Sequence, residues 1–280
     1  MRLVIQATCL ASVDLEAIST LCSSNGFKQL AEHAYAMQIA GPVPEVAAYC
    51  AAHQIDCAFV PDEHILDNFG LVVMDMDSTA ITIECIDEIA DMCGLKPQVS
   101  EITASAMRGD IEFAESLRRR VALLAGLDES ALQLVYDQRL KLSPGLQQLV
   151  AACKAQGIRT MLVSGGFDFF ADRVKAMAGL DYAYANKLEI VDGKLTGKVL
   201  GDIVDAQAKA DWLMRVRDEL GLQAHQTIAI GDGANDLNMM KIAGVGIAYR
   251  AKPIVQQQAS YALNHSGLDG VIGLFTALPQ

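Results

Sequence analysis

No apolar run in this sequence approaches the roughly 18 residues that a membrane-crossing helix needs. There is no Cys-x-x-Cys, no block of like charges, no internal repeat and no low-complexity segment. The histidines His33, His53, His64, His225 and His265 lack metal-ligand spacing and read as structural or exposed groups. These gaps argue against a membrane span, a disulfide framework and a repeat array. Basic residues are also short: 22 Lys and Arg against 34 Asp and Glu leave a net charge of -12, which excludes a basic nucleic-acid surface.

The seven cysteines, Cys9, Cys22, Cys50, Cys57, Cys85, Cys93 and Cys153, are odd in number and scattered. Reduced thiols in a cytoplasmic protein are expected. Cys85 reads as a packed thiol. The N-terminus MRLVIQATCLASVDLEA has one Arg and a short apolar patch, so it suits a first β-strand better than a signal peptide.

What is present is core. Hydrophobic residues make up 52% of 280, enough for one large domain or two modest ones. Residues 1–66 read as a small α+β unit: strands near 3–8, 34–39 and 55–60, helices near 15–22 and 43–52. Pro61-Asp62-Glu63-His64 marks the boundary. In 67–280 short apolar strands at 71–74, 160–163, 227–230 and 245–248 alternate with helical segments such as 146–155 and 206–219. That alternation predicts an α/β fold, a Rossmann-like parallel sheet covered by helices on both faces. The stretch from 83 to 142 is far longer than a direct crossover requires. Its helical stripes are Ile86, Ile89 and Ala90; Phe113, Leu117, Val121 and Leu124; then Leu132 and Val135. An inserted helical cap is expected there. Val191-Asp192-Gly193-Lys194 predicts a tight hairpin.

The first strand of this second unit ends in two acids, LVVMDMDST. A buried carboxylate is costly unless its charge is compensated. Asp75 and Asp77 share one side of an extended segment, at the carboxyl end of a parallel strand, where ligands bind in open α/β sheets. Taken alone, the motif also suits an ordinary turn cap. Three further segments stand with it. Ser164-Gly165-Gly166 lets a hydroxyl and backbone N–H groups approach an anion. Gly231-Asp232-Gly233-Ala234-Asn235-Asp236 crowds oxygen ligands that suit a hard cation such as Mg²⁺. Lys209 lies on the helix before it.

Together, DxDxT, the Ser-Gly pair, the lysine and GDGxND resemble the four motifs of the haloacid dehalogenase-like superfamily, over nearly all of residues 70–275. The resemblance implies a Mg²⁺-dependent phosphotransferase. Asp75 would be the nucleophile and form an aspartyl-phosphate, and Asp77 the general acid and base. Ser164, Gly165 and Lys209 would hold the phosphoryl group. The metal would take Asp75, the backbone carbonyl of Asp77 and Asp232, with Asp236 and Asn235 orienting ligands and phosphate.

Within that superfamily, DMDST, Glu84, GDIEFAESLRRRV, SGGF and GDGANDLNMMKIAGVGIAYRAKP resemble the phosphoserine phosphatases, which release L-serine at the end of its biosynthesis. By position, Glu84 would bind the substrate ammonium and Arg120 its carboxylate. Met107 and Phe113 would line the apolar side and help exclude water. Arg118 and Arg119 are expected on a solvated face, and Met76 replaces a common phenylalanine without consequence. The implied partner is a small molecule, O-phosphoserine; neither nucleic acid nor membrane is expected. A phosphatase or phosphotransferase for another small phosphorylated metabolite is the alternative, and intact acids argue against an inert sensor. The N-terminal unit reads as a packing or homodimerisation module, or as a reduced regulatory domain.

Overall fold

The structure, a computed structural model, describes residues 1–24 and 26–278. Asn25, Pro279 and Gln280 belong to the expected units 1–66 and 67–280 but lie outside the described residues.

The chain begins with β1 (Arg2–Gln6), α1 (Ser12–Leu21), β2 (Lys28–Ala31), β3 (Ala34–Gln38), α2 (Pro44–Ala52) and β4 (Asp56–Val60). The strands form one antiparallel sheet in the order β2-β3-β1-β4, a split βαβ arrangement. Alternating side chains serve two cores. Leu3, Ile5 and Met37 meet Ile18, Val46 and Cys50 of the helices. Val4, Ala36, Ala58 and Val60 point the other way and join the apolar cluster that contains Phe69, Val271 and Phe275. The small sheet is thus packed against the rest of its own chain. Strand β2 was not expected, because Lys28-Gln29-Leu30-Ala31 is short and mostly exposed, without apolar alternation.

The second sheet starts with β5 (Leu71–Met74), buried along its whole length. The cap follows as four helices: α3 (Cys85–Met92), α4 (Lys96–Met107), α5 (Phe113–Ala122) and α6 (Ser130–Gln138). The chain then continues through α7 (Leu146–Ala155), β6 (Arg159–Phe167), α8 (Asp168–Ala178), β7 (Tyr182–Val191), β8 (Lys194–Leu200) and α9 (Ala206–Glu219). It ends with β9 (Thr227–Gly231), α10 (Leu237–Ile242), β10 (Val245–Tyr249), α11 (Pro253–Gln256), β11 (Tyr261–Leu263) and α12 (Gly270–Phe275). Strand order is β11-β10-β9-β5-β6-β7-β8, parallel except for the β7–β8 pair.

The connections run to one side of β5 and later return to the other. The switch point therefore lies between β5 and β9, at their carboxyl ends. Cap entry and exit are held together there by the Ile81–Leu142 bridge and by Thr82 N–H donating to Lys141 O at 3.0 Å. The expected hairpin is present, with φ of 51° at Asp192 and 73° at Gly193, the two positive values a type I′ turn needs. Its tip binds the cap: Gly126 N–H donates to Leu195 O at 2.8 Å and Glu129 N–H to Gly193 O at 2.9 Å. Strand β6 runs past Val163 through Ser164, Gly165 and Gly166, which the sequence placed beyond its end. Among the described residues no helix is long and apolar enough to cross a membrane.

Candidate active site

Beyond β5 the chain cannot remain a strand. Asp75 is extended, with φ -67° and ψ 161°, and so is Asp77, with φ -65° and ψ 135°. Ser78 then turns left-handed at φ 56°. A single wide turn closes behind them through Ala80 N–H to Asp75 O at 3.2 Å and Ile81 N–H to Met76 O at 3.0 Å. Met76 is sealed into the core. Both acids therefore face one cavity of about 540 Å³, as period-two alternation requires.

Asp75 is 5% exposed. Lys209, projecting from α9, places Nζ 2.7 Å from Asp75 Oδ1 and 2.8 Å from Asp236 Oδ1. The other Asp236 oxygen accepts from Gly233 N–H at 3.0 Å. Lys209 itself lies behind Asp75 rather than on the cavity wall, with its ammonium engaged by the two carboxylates. Helix α9 is fixed at its start by Asp205, whose side chain accepts from Gln207 and Ala208 N–H.

Asp77 Oδ1 accepts from Cys85 N–H at 2.9 Å, and Oδ2 from Ser164 Oγ at 3.3 Å. Ser164 Oγ in turn accepts from Gly166 N–H at 2.8 Å. A Cβ on Gly166 would lie 2.5 Å from Asp77 Oδ2, so a larger residue there would push the acid aside. Thr79 Oγ1 donates to Asp232 Oδ1 at 3.1 Å. The cap-start amide at Cys85 and the turn hydroxyl at Thr79 are contacts that no spacing in the sequence revealed.

Charge is crowded here. Burial pushes Asp75 well above the ordinary carboxylate range, opposed by the Lys209 ammonium. Burial also raises Asp77, against the hydrogen bonds from Cys85. Asp232 is pushed up to about 6 by burial and by the charge of Asp236. Burial alone would lower Lys209, but Asp236 and Asp75 outweigh it and keep the ammonium charged. One oxygen from each of Asp75, Asp232 and Asp236 lies within 4.8 Å of the others. Three carboxylates sharing one ammonium leave surplus negative charge, and an all-oxygen donor set of this kind fits a hard divalent cation.

The cap supplies the remaining walls. Glu84 accepts from Ser78 Oγ at 2.7 Å, and its carboxyl is pushed up to about 7 by burial and by Asp77. Arg120 is half-buried on α5; burial lowers its guanidinium, against the attraction of Asp87, Glu84 and Asp77. Among the described residues it forms no ion pair; Nε donates only to Ser116 O, at 3.4 Å. Phe113, Gly165 and Asn235 line the same cavity. Arg118 and Arg119 are exposed, as expected. Met107 also lines the cavity but is 69% exposed, so in this arrangement it does not exclude water as expected. It is the last residue of α4, a helix with a single buried residue, Val99.

Residues 72–241 match the haloacid dehalogenase-like hydrolase family. The chain belongs to that family. A phosphoserine phosphatase of Polaromonas sp. is 50% identical over 214 residues, covering 75% of this chain and 91% of the relative. A probable phosphoserine phosphatase of Schizosaccharomyces pombe is 43% identical over 268 residues, covering 93% and 90%. Among solved structures, a probable phosphoserine phosphatase from Vibrio cholerae in unliganded form superposes with a TM-score of 0.87 at 40% identity, covering 99% of this chain and 86% of the other. This haloacid dehalogenase-like hydrolase thus shares both its fold and most of its length with such proteins.

Proposed function

We infer that the chain hydrolyses O-phospho-L-serine to L-serine and phosphate. The observation that carries this reading is the meeting of two groups of residues in one cavity. Asp75, Asp77 and Asp232 stand at the sheet end, and a carboxylate and a guanidinium without an ion pair among the described residues, Glu84 and Arg120, stand on the cap. The first group suits phosphoryl transfer; the second matches the two charges of an amino acid. Relatives named as phosphoserine phosphatases, at half identity, support the same substrate.

Asp75 attacks phosphorus and the P–O bond to the serine oxygen breaks, leaving an aspartyl-phosphate. Asp77, which burial favours in its protonated form, gives its proton to the departing alkoxide. It then takes a proton from the water that attacks the aspartyl-phosphate, and phosphate leaves. Ser164 and the backbone N–H groups beside it hold phosphoryl oxygens, while Lys209 steadies Asp75 from behind. Asp75, Asp232 and the Asp77 carbonyl would hold Mg²⁺, with Asp236 beside them, and the ion would supply positive charge to keep Asp75 ionised and to neutralise phosphoryl oxygens. Arg120 takes the substrate carboxylate, Glu84 its ammonium, and Phe113 packs on the carbon frame.

Phosphate release from O-phospho-L-serine, measured with Mg²⁺ and with EDTA, tests the reading. Turnover with Mg²⁺ that EDTA abolishes is expected. No release from phosphoserine beside ready release from another phosphorylated metabolite would overturn the substrate assignment.

A further inference from the structure

Asn186 lies on β7, outside all four motifs, and is 1% exposed. Both ends of its amide are used. Nδ2 donates to Gly165 O at 2.8 Å, and Oδ1 accepts from Val204 N–H at 2.8 Å. These partners sit on two segments that carry the phosphoryl-transfer groups. Gly165 follows Ser164 on β6, where the ladder to β7 shifts register between Val163 and Phe167. The regular ladder is interrupted along that stretch, and there the Asn186 side chain reaches the Gly165 carbonyl. Val204 precedes Asp205, the residue that caps α9. Lys209 N–H donates to Asp205 O at 3.0 Å, and Lys209 Nζ meets Asp75.

We propose that Asn186 is a positioning residue for phosphoryl transfer. It sets the spacing between the strand end that carries Ser164 and the helix start that places Lys209. No other side chain type of this size offers one donor and one acceptor in this geometry. Aspartate keeps the size and the acceptor but turns a second oxygen toward the Gly165 carbonyl. Serine keeps neither reach. Misplacing reacting groups by about 1 Å can cost roughly 10²-fold in rate, so a modest shift of either segment is enough to be seen.

The proposal rests on the phosphoryl-transfer part of the reading above and not on the choice of phosphoserine. Asn186→Asp and Asn186→Ser are compared with the wild-type chain on O-phospho-L-serine and on p-nitrophenyl phosphate, with Mg²⁺, well below the melting temperature. Rates are normalised to the folded fraction from circular dichroism. Expected is a fall in kcat of at least about tenfold on both substrates, with their kcat/KM ratio unchanged. Inhibition by inorganic phosphate should weaken in parallel. Wild-type kcat in the folded fraction, with only a lowered Tm, would reduce Asn186 to a fold-stabilising role and overturn the proposal. A loss confined to phosphoserine would also overturn it. A wild-type chain with no preference for phosphoserine would sink the substrate assignment, while the p-nitrophenyl phosphate comparison would still decide on Asn186.

Discussion

Replacement of Arg120 and of Glu84 is expected to separate specificity from chemistry. Arg120→Ala removes a guanidinium that forms no ion pair among the described residues, so little native structure depends on it. A charge-assisted hydrogen bond is worth about 1.5–3 kcal/mol. The kcat/KM for phosphoserine is therefore expected to fall at least about tenfold. That for p-nitrophenyl phosphate, which has no carboxylate, should change far less. Equal losses on both would sink the clamp. Glu84 adds a pH signature. Burial and the charge of Asp77 push its carboxyl up to about 7, and protonation removes its charge. The ratio of kcat/KM for phosphoserine to that for p-nitrophenyl phosphate should thus decline as pH falls through about 7, since kcat/KM reports the free enzyme. Glu84→Gln should flatten that limb; a limb that persists in the variant would assign it elsewhere. At this scale the sequence was readable where neighbours along the chain act together. Asp75 with Asp77, and Asp232 with Asp236, stood out by spacing only together with the resemblance to the four motifs, since the first pair alone also suits a turn cap. Asn186 and the Cys85 amide did not, because their partners lie 21 and 8 residues away on other elements.

The elements that frame the cavity depend on the junction where the cap leaves and rejoins the sheet. Ser143 N–H donates to Ala80 O at 2.9 Å beside the Ile81–Leu142 bridge. The next turn interlocks with the segment before α12. Leu268 N–H donates to Pro144 O at 2.7 Å, and a Cβ on Gly145 would collide with Asp269. Gly145 also has φ 81°, which side chains rarely adopt. Gly145→Ala is expected to cost about 1–3 kcal/mol, or several degrees of Tm at about 2–4 °C per kcal/mol. An unchanged melting curve would mean that this junction gives freely. The helical stripes of Phe113, Leu117 and Val121 made α5 legible, while α4, with its one buried residue, carries no such stripe. The polar edge strand β2 was silent for the same reason: periodicity records burial, and an exposed element leaves none.

Across the whole molecule, the small sheet is joined to the catalytic part by a buried carboxylate. Asp56 on β4 accepts from Asn264 N–H at 2.7 Å, His265 N–H at 3.1 Å, Ser266 N–H at 2.8 Å and Ser266 Oγ at 2.8 Å. Gln6 adds a bond to Gly270 O at 3.0 Å. Asp56→Ala strands those amides, and a loss of about 2–3 kcal/mol, seen as a lower Tm, is expected with kcat preserved. Unchanged stability would show that the apolar face alone holds the sheet. None of this could be read from the sequence, since Asp56 and Ser266 stand 210 residues apart and a lone acid at a strand start has many uses. The role of Asp75 as nucleophile is tested by acid-quenching the Mg²⁺-loaded 280-residue chain during turnover of phosphate-labelled O-phospho-L-serine and mapping the label by peptide mass spectrometry. Label on the peptide at Asp75, absent from Asp75→Asn, is expected. Steady turnover with no protein-bound label in repeated early quenches, or wild-type rates from Asp75→Asn, would contradict it.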